Sequence, residues 1–322
     1  MSVTESARPF RVPQKASMGI YVETTIRGSM DELWRRTQTP ALHQRWDLRF
    51  TDIEYLPRPD ESQPQRFLYA TRIGFGVAIR GKGETVGTRE DGHGARTSAL
   101  RFWSDDPKSL IAQGSGYWQY IPQRAGVRFL TWYDYRTRFG ALGRAFDAVV
   151  FRPLLGWATA WSFDRLRLWI ERDVDPQLAL QRSLMHGLAR ATIAFVWLYH
   201  GLVPKLLYRH QDELALMTAS GASARAAPGL VRLLGLGEVA FGCCWLLPWR
   251  PRWPFVLNIG LMVLATATVS RRAPRYLVAA FNPVTLNAAM IALSLVGLVT
   301  GGDLPSARRC LRRRPAGTMG RV

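Results

Sequence analysis

The second half of this 322-residue sequence has almost no acid. Residues 186–322 hold 16 Lys/Arg against four acids, Asp212, Glu213, Glu238 and Asp303, whereas residues 1–185 hold 27 bases and 20 acids. Cysteine is equally scarce. Cys243, Cys244 and Cys310 form no CxxC or zinc-ligand spacing, so neither a disulfide framework nor a metal site is expected. No glycine-rich turn links a strand to a helix, because "GFGVAIRG" lies inside a strand-like run, and no nucleotide fingerprint follows. The opening "MSVTESARPFRVPQK" is polar and lacks the apolar core of a signal peptide, so the first half is expected to stay in the cytoplasm. A basic excess can mean nucleic acid, but these bases stand between long apolar segments, as membrane flanks do. No nucleic-acid partner is therefore expected.

What the second half does have is apolar length. Four runs stand out: "LARATIAFVWLYHGLVPKLLY" (188–208), "GLVRLLGLGEVAFGCCWLLPW" (229–249), "WPFVLNIGLMVLATATVS" (253–270) and "PVTLNAAMIALSLVGLVT" (283–300). Each approaches the ~20 residues that cross a ~30 Å hydrocarbon core. Arg190 and Lys205 in the first run are expected to snorkel toward the surfaces. Trp245, Trp249 and Trp253 cluster around one connection and are expected to form an interfacial belt. Four crossings place the N-terminal half and the basic end "SARRCLRRRPAGTMGR" on one side, which the positive-inside rule makes cytoplasmic. Arg271, Arg272 and Arg275 then fall on the outer side, against that rule.

Glu238 is the residue that the apolar runs least explain. Val231, Gly235, Glu238 and Gly242 fall on one helical face, whose small residues admit a neighbouring helix, so the carboxylate is expected to point into a bundle. An ionisable group there marks a partner, a ligand or a proton path. In "YHGLVPK", Pro204 has no N–H for the carbonyl of His200. His200 is the expected proton-exchanging partner of Glu238, with Lys205 as the alternative counter-ion. Glu238 and His200 are the candidate catalytic groups; Glu238, His200, Lys205, Asn258 and Asn287 are the candidate ligand-binding set. For the two asparagines, interhelical hydrogen bonding is the simpler reading. Cys243 and Cys244 read as two buried small residues rather than a dithiol.

These runs resemble the DoxX-like family of four-helix membrane proteins over residues 188–301. The resemblance rests on the W-x-x-x-G-x-x-P-K run, the central G-x-x-E and the F-N-P before the last helix. It implies an all-α four-helix transmembrane bundle. It also implies an association with quinone-linked or thiol redox systems, the quinone being supplied by the membrane.

The first half has a different texture. "GIYVETTIRG" reads as a strand and "SMDELWRRTQ" as a helix capped by Ser29, with a second short helix after Pro40. Aromatic and β-branched runs follow at 48–56, 65–87, 96–104, 109–122 and 126–139, separated by turn compositions. A long terminal helix, interrupted near Pro153, closes the order. That order, over residues 18–172, resembles the START/polyketide-cyclase (SRPBCC) superfamily. The implied fold is an α+β helix-grip, an antiparallel sheet wrapped on a long C-terminal helix, and the implied ligand a lipid or other hydrophobic molecule. His43, Trp46 and Asp47 in "HQRWD" read as capping and packing residues. Asp134 is expected to pair on the surface with Arg136.

The resulting expectation is a multi-pass protein of the inner (plasma) membrane with N-terminal domain and C-terminal tail in the cytoplasm. Residues 18–172 form the helix-grip domain, 173–187 a linker, 188–301 the bundle and 302–322 a basic tail. The helix-grip domain is expected to bind a hydrophobic small molecule or lipid beside a bundle with a polar site. Two alternatives stand: a quinone-linked redox subunit drawing electrons from a partner protein, since no flavin, haem or iron–sulfur motif is present, or a non-catalytic membrane scaffold.

Overall fold

The structure, a computed structural model, describes residues 19–58, 60, 63–74, 76–248, 251–280 and 282–314. Trp249 and Phe281, part of the expected belt and of the F-N-P motif, lie outside the described residues. The chain divides into two compact units. Of the described residues, one unit holds 19–177 and 305–314, and the other holds 178–304.

In the first unit, β1 (Ile20–Ile26) is followed by α1 (Met30–Gln38) and α2 (Pro40–Trp46). Ser29 Oγ accepts the Glu32 N–H at 3.1 Å, which starts α1, and Pro40 opens α2 where no amide donor is needed. Six further strands run antiparallel: β2 (Asp52–Tyr55), β3 (Arg66–Gly74), β4 (Val77–Glu90), β5 (Arg96–Trp103), β6 (Ile111–Gln123) and β7 (Gly126–Thr137). Among the described residues they make one seven-stranded sheet in the order β1-β7-β6-β5-β4-β3-β2. The single run expected at 65–87 is two strands, β3 and β4, joined by a tight hairpin.

α3 (Gly140–Phe146), a π-helical turn (Asp147–Phe151) and α4 (Arg152–Arg172) form the closing helix. The interruption expected near Pro153 is this π turn. Pro153 itself sits in the first turn of α4, where its missing N–H costs least. Every residue of α4 from Thr159 to Trp169 is buried, so the helix is covered on all sides rather than on one stripe. Phe163 stacks on Phe129 of β7 at 4.4 Å, and Trp46 and Trp118 close the same aromatic layer. This is a helix-grip.

Part of that cover comes from the far end of the chain. Leu311 and Glu23 exchange backbone hydrogen bonds of 2.9 Å in both directions along the edge of β1. The Ser306 N–H donates to Asp164 Oδ2 at 2.7 Å, and Cys310 Sγ sits 3.2 Å from the Ala160 carbonyl. Burial pushes the Cys310 thiol up to about 12, so this cysteine is an inert packing group. The segment expected as a tail is therefore folded into the first unit as far as residue 314. A chain ending at Leu304 loses these bonds and leaves Asp164 one partner short. Its first unit should melt with a loss on the order of 3 kcal/mol, read by thermal unfolding of the detergent-solubilised protein.

The second unit holds α5 (Pro176–His200, which starts just before it), a π-helical segment (Gly201–Leu207), α6 (Gln211–Ala219), α7 (Ala227–Leu246), α8 (Trp253–Arg272) and α9 (Pro283–Thr300). Residues 176–187, expected as a connecting stretch, are turns of α5. Among the described residues three helices, α7, α8 and α9, are long and apolar enough to cross a membrane. The first expected run is divided between α5 and the π segment and carries Arg190 and Lys205 within it. Arg190 donates to the Trp245 and Leu247 carbonyls at 2.5 and 2.8 Å, satisfying the end of α7.

Trp245 does not join an interfacial belt. It is buried, 4.7 Å edge-on from Phe255, because the unit's own core of Ile193, Ala194, Met262 and Met290 has room for an indole there. Trp253 is exposed. Cys243 also departs from expectation: it faces outward from α7 rather than into the core.

Candidate functional site

The helical unit places a lysine between two glutamates. Pro204 cannot donate to the helix ladder, and the backbone widens to a π-helix over Gly201–Leu207. Lys205 within that segment is buried, its Nζ 3.1 Å from Glu213 Oε1 and 3.1 Å from Glu238 Oε2. The Glu213 contact is a hydrogen bond. The Glu238 contact is an ion pair of the same length.

Two glycines make this pairing possible. A Cβ on Gly201 would lie 2.6 Å from the Gly235 carbonyl oxygen, and one on Gly235 would lie 2.9 Å from both the Gly201 oxygen and Lys205 Cβ. The backbones of α7 and the π segment touch at this crossing, which carries Glu238, one turn on, to the lysine. Gly235→Val should separate the two segments and cost about 1–3 kcal/mol, with loss of the Lys205–Glu238 pair. Thermal unfolding in detergent measures the first, and crosslinking across the crossing reads the second.

A cavity of about 390 Å³ opens beside the pair. Leu216, Met217, Leu261, Met262, Val269 and Met290 are among its apolar walls, and His200, Glu213, Glu238 and Asn287 are among its polar groups. His200 shares the cavity with Glu238, but the cation paired with Glu238 among the described residues is Lys205. Asn287 Nδ2 donates to Thr266 Oγ1 at 3.0 Å at the cavity wall. Asn258 is elsewhere. Fully buried, it accepts from Trp197 Nε1 at 2.7 Å and donates to Ser294 Oγ at 2.8 Å, tying α5, α8 and α9 together.

Glu213 belongs to this site and is absent from the candidates drawn from sequence. It lies eight residues beyond Lys205, past a break at Arg209 (φ 48°) that turns α6 back. One signal was available: a half with four acids rarely spends one without a partner.

The helix-grip unit has its own buried polar cluster. Asp47 accepts two bonds from the Arg49 guanidinium, at 2.9 and 2.6 Å, one from the Arg49 backbone N–H at 3.1 Å, and one contact of 3.0 Å from His43 Nε2. Tyr133 closes the group with a 2.7 Å bond to Thr159 Oγ1 of α4. Burial alone would raise the Asp47 pKa, but the Arg49 guanidinium and the His43 bond outweigh it and hold the carboxyl far below its ordinary range. Burial among Trp46, Phe50 and Trp118 lowers the His43 pKa more than Asp47 raises it. Asp134 does not pair with Arg136. It meets Arg152 at 2.9 Å, because the guanidinium reaches back from the start of α4 to β7.

Comparison with known proteins places this architecture. Residues 194–295 match the model of the DoxX-like family. A Bacillus subtilis (strain 168) protein described as "uncharacterized membrane protein YndG" is 39% identical over 301 residues, spanning 92% of this chain and 97% of the relative. The chain belongs to the YndG family of membrane proteins. In this YndG-family chain the helical unit is DoxX-like, and the preceding unit is START-like in fold. Solved structures resembling the first unit include TTHA0849 of Thermus thermophilus (16% identity, 47% of this chain and 97% of that one, TM-score 0.35). Others are a STAR-related lipid transfer protein of Xanthomonas axonopodis (18%, 49% and 97%, TM-score 0.36) and the Zhui aromatase/cyclase of Streptomyces sp. R1128 (14%, 47% and 94%, TM-score 0.36). At these identities and scores, none of them bears on what the YndG-family chain binds.

Proposed function

We propose that this membrane protein handles a hydrophobic small molecule or lipid with a polar end. The helix-grip domain receives it, and the helical unit holds its polar end at Lys205, Glu213 and Glu238. The observation that carries this reading is the 390 Å³ cavity, apolar on most walls and charged on one. Such a shape suits an amphiphile: the walls repay burial of its apolar body, and the charged groups fix its orientation.

The helix-grip domain and the chain's last segment lie on the cytoplasmic face of the plasma membrane in this reading. Support for an even number of crossings comes from the first unit, which takes in residues on both sides of the helical one. Three apolar helices give an odd count, and α5 with its π segment supplies the fourth crossing.

Mass spectrometry of small molecules extracted from the detergent-purified full chain tests the proposal. A stoichiometric lipid-like or other amphiphilic compound, lost when Lys205 is replaced, is the expected result. Nothing above the detergent blank overturns it. A quinone would select a second reading, a quinone-linked redox subunit, which a specific feature favours: the Glu238 carboxylate and the His200 ring line one largely apolar cavity, where both could exchange protons with a bound carbonyl.

A further inference from the structure

One helix of the first unit has its polarity reversed. From Gly140 through the π turn to Trp157, the face against the sheet is ionic. Tyr135 Oη donates to Asp147 Oδ1 at 2.7 Å, and Arg152 bonds Asp147 Oδ2 and Asp134 Oδ1, each at 2.9 Å. The outer face is apolar: Leu142 (80% exposed), Phe146, Val149 (77% exposed), Leu154 and Trp157. Their spacing is four, three, five and three residues. The step of five spans the π turn, whose wider winding keeps the row in line. A helix at a water-facing surface puts charge outside and apolar residues inside, and this one does the opposite.

Charge and place identify the occupant. The only acid in residues 139–157 is Asp147, which is buried, while Arg144 and the neighbouring Arg136 are exposed. The β3–β4 hairpin adds exposed Ile73 and Val77 at the same end of the sheet as the start of α3. Along the helix itself the apolar row has exposed Arg144 beside it and no exposed acid, which matches an anionic bilayer surface; exposed Asp105 in the β5–β6 loop, at the same end of the sheet, is paired with Lys82 at 3.1 Å. The protein is membrane-embedded, so that surface is within reach of every copy.

We propose that the row from Leu142 to Trp157 lies in the headgroup region of the bilayer and holds the helix-grip domain down on the lipid. Its polar inner face is what frees the apolar residues for that contact. The row therefore fixes the orientation of the domain against the lipid, independently of what either unit binds.

The test uses the full chain with Cys243, Cys244 and Cys310 as serine, reconstituted in vesicles of phosphatidylglycerol and brominated phosphatidylcholine. A fluorophore is attached at Val149→Cys or, as control, at Gly92→Cys in the β4–β5 turn. Both sites are exposed, so neither label disturbs packing. The expected result is loss of emission to the brominated chains and protection from aqueous iodide at 149, with the reverse at 92. Iodide quenching at 149 equal to that at 92 overturns the proposal. Protection from iodide without quenching by brominated lipid also overturns it, in favour of a protein covering the row.

Discussion

Asp47→Ala should cost the helix-grip unit about 3–5 kcal/mol, the scale for removing one partner from a buried ion pair. The carboxylate is fully buried and is the shared acceptor for Arg49 and His43, so its loss strands a guanidinium among aromatic rings. Asp47→Asn keeps the volume and one acceptor oxygen and should cost less, while an apolar replacement of both Asp47 and Arg49 should recover much of the loss. Thermal unfolding in detergent, read by limited proteolysis of the first unit, ranks the three. The same cluster sets an acid limit. His43 has a lowered folded pKa, so its contribution is complete above its ordinary 6.5 and declines as pH falls below it. Asp47 is also lowered, from 3.8, so its contribution is lost further down as pH passes below that value. Both act in one direction: the wild-type unit weakens stepwise on acidification, and the apolar double variant should lose the Asp47 step while keeping the His43 step, because burial is the main cause of the lowered His43 pKa.

Lys205→Met should be the most damaging single change in the helical unit. It leaves Glu213 and Glu238 facing an apolar cavity with no cation between them, and about 3–5 kcal/mol is the expected loss. Adding Glu238→Gln should restore part of the stability, since one of the stranded carboxylates is removed. In the reading proposed above, retention of the amphiphile should not return, because the Lys205 and Glu238 charges are then missing and Glu213 is left without its cation. Melting temperature in detergent and extracted small-molecule content separate the two effects. Recovery of both would reduce the ion pair to a packing device.

What the sequence disclosed depended on the range of the interaction. Strand runs, the Ser29 cap and the break near Pro153 are local chemistry, and each appears in the fold. Glu238, Lys205 and His200 were conspicuous because charge is rare in apolar runs, and all three line or adjoin one cavity. Glu213 was hidden by its setting in a polar loop, since nothing local says that α6 folds back onto the π segment. Tyr133 escaped for the same reason, since it reaches the Asp47 cluster from β7; Arg49 stands two residues from Asp47, and what hid it was the burial of that pair, which spacing alone does not disclose. Trp245 misled because an indole near a helix end suits an interface and a core equally well; the partner that decided it, Phe255, lies on the next helix.

The bridge between Glu23 and Leu311 has a consequence for synthesis. The ribosome makes β1 near the beginning and its last edge partner only after every helix of the second unit has emerged. The helix-grip domain therefore cannot complete itself as a nascent chain while the remainder is still being inserted. Its closure becomes a late event that follows synthesis of the helical unit, and a product truncated before residue 305 keeps an open edge at β1.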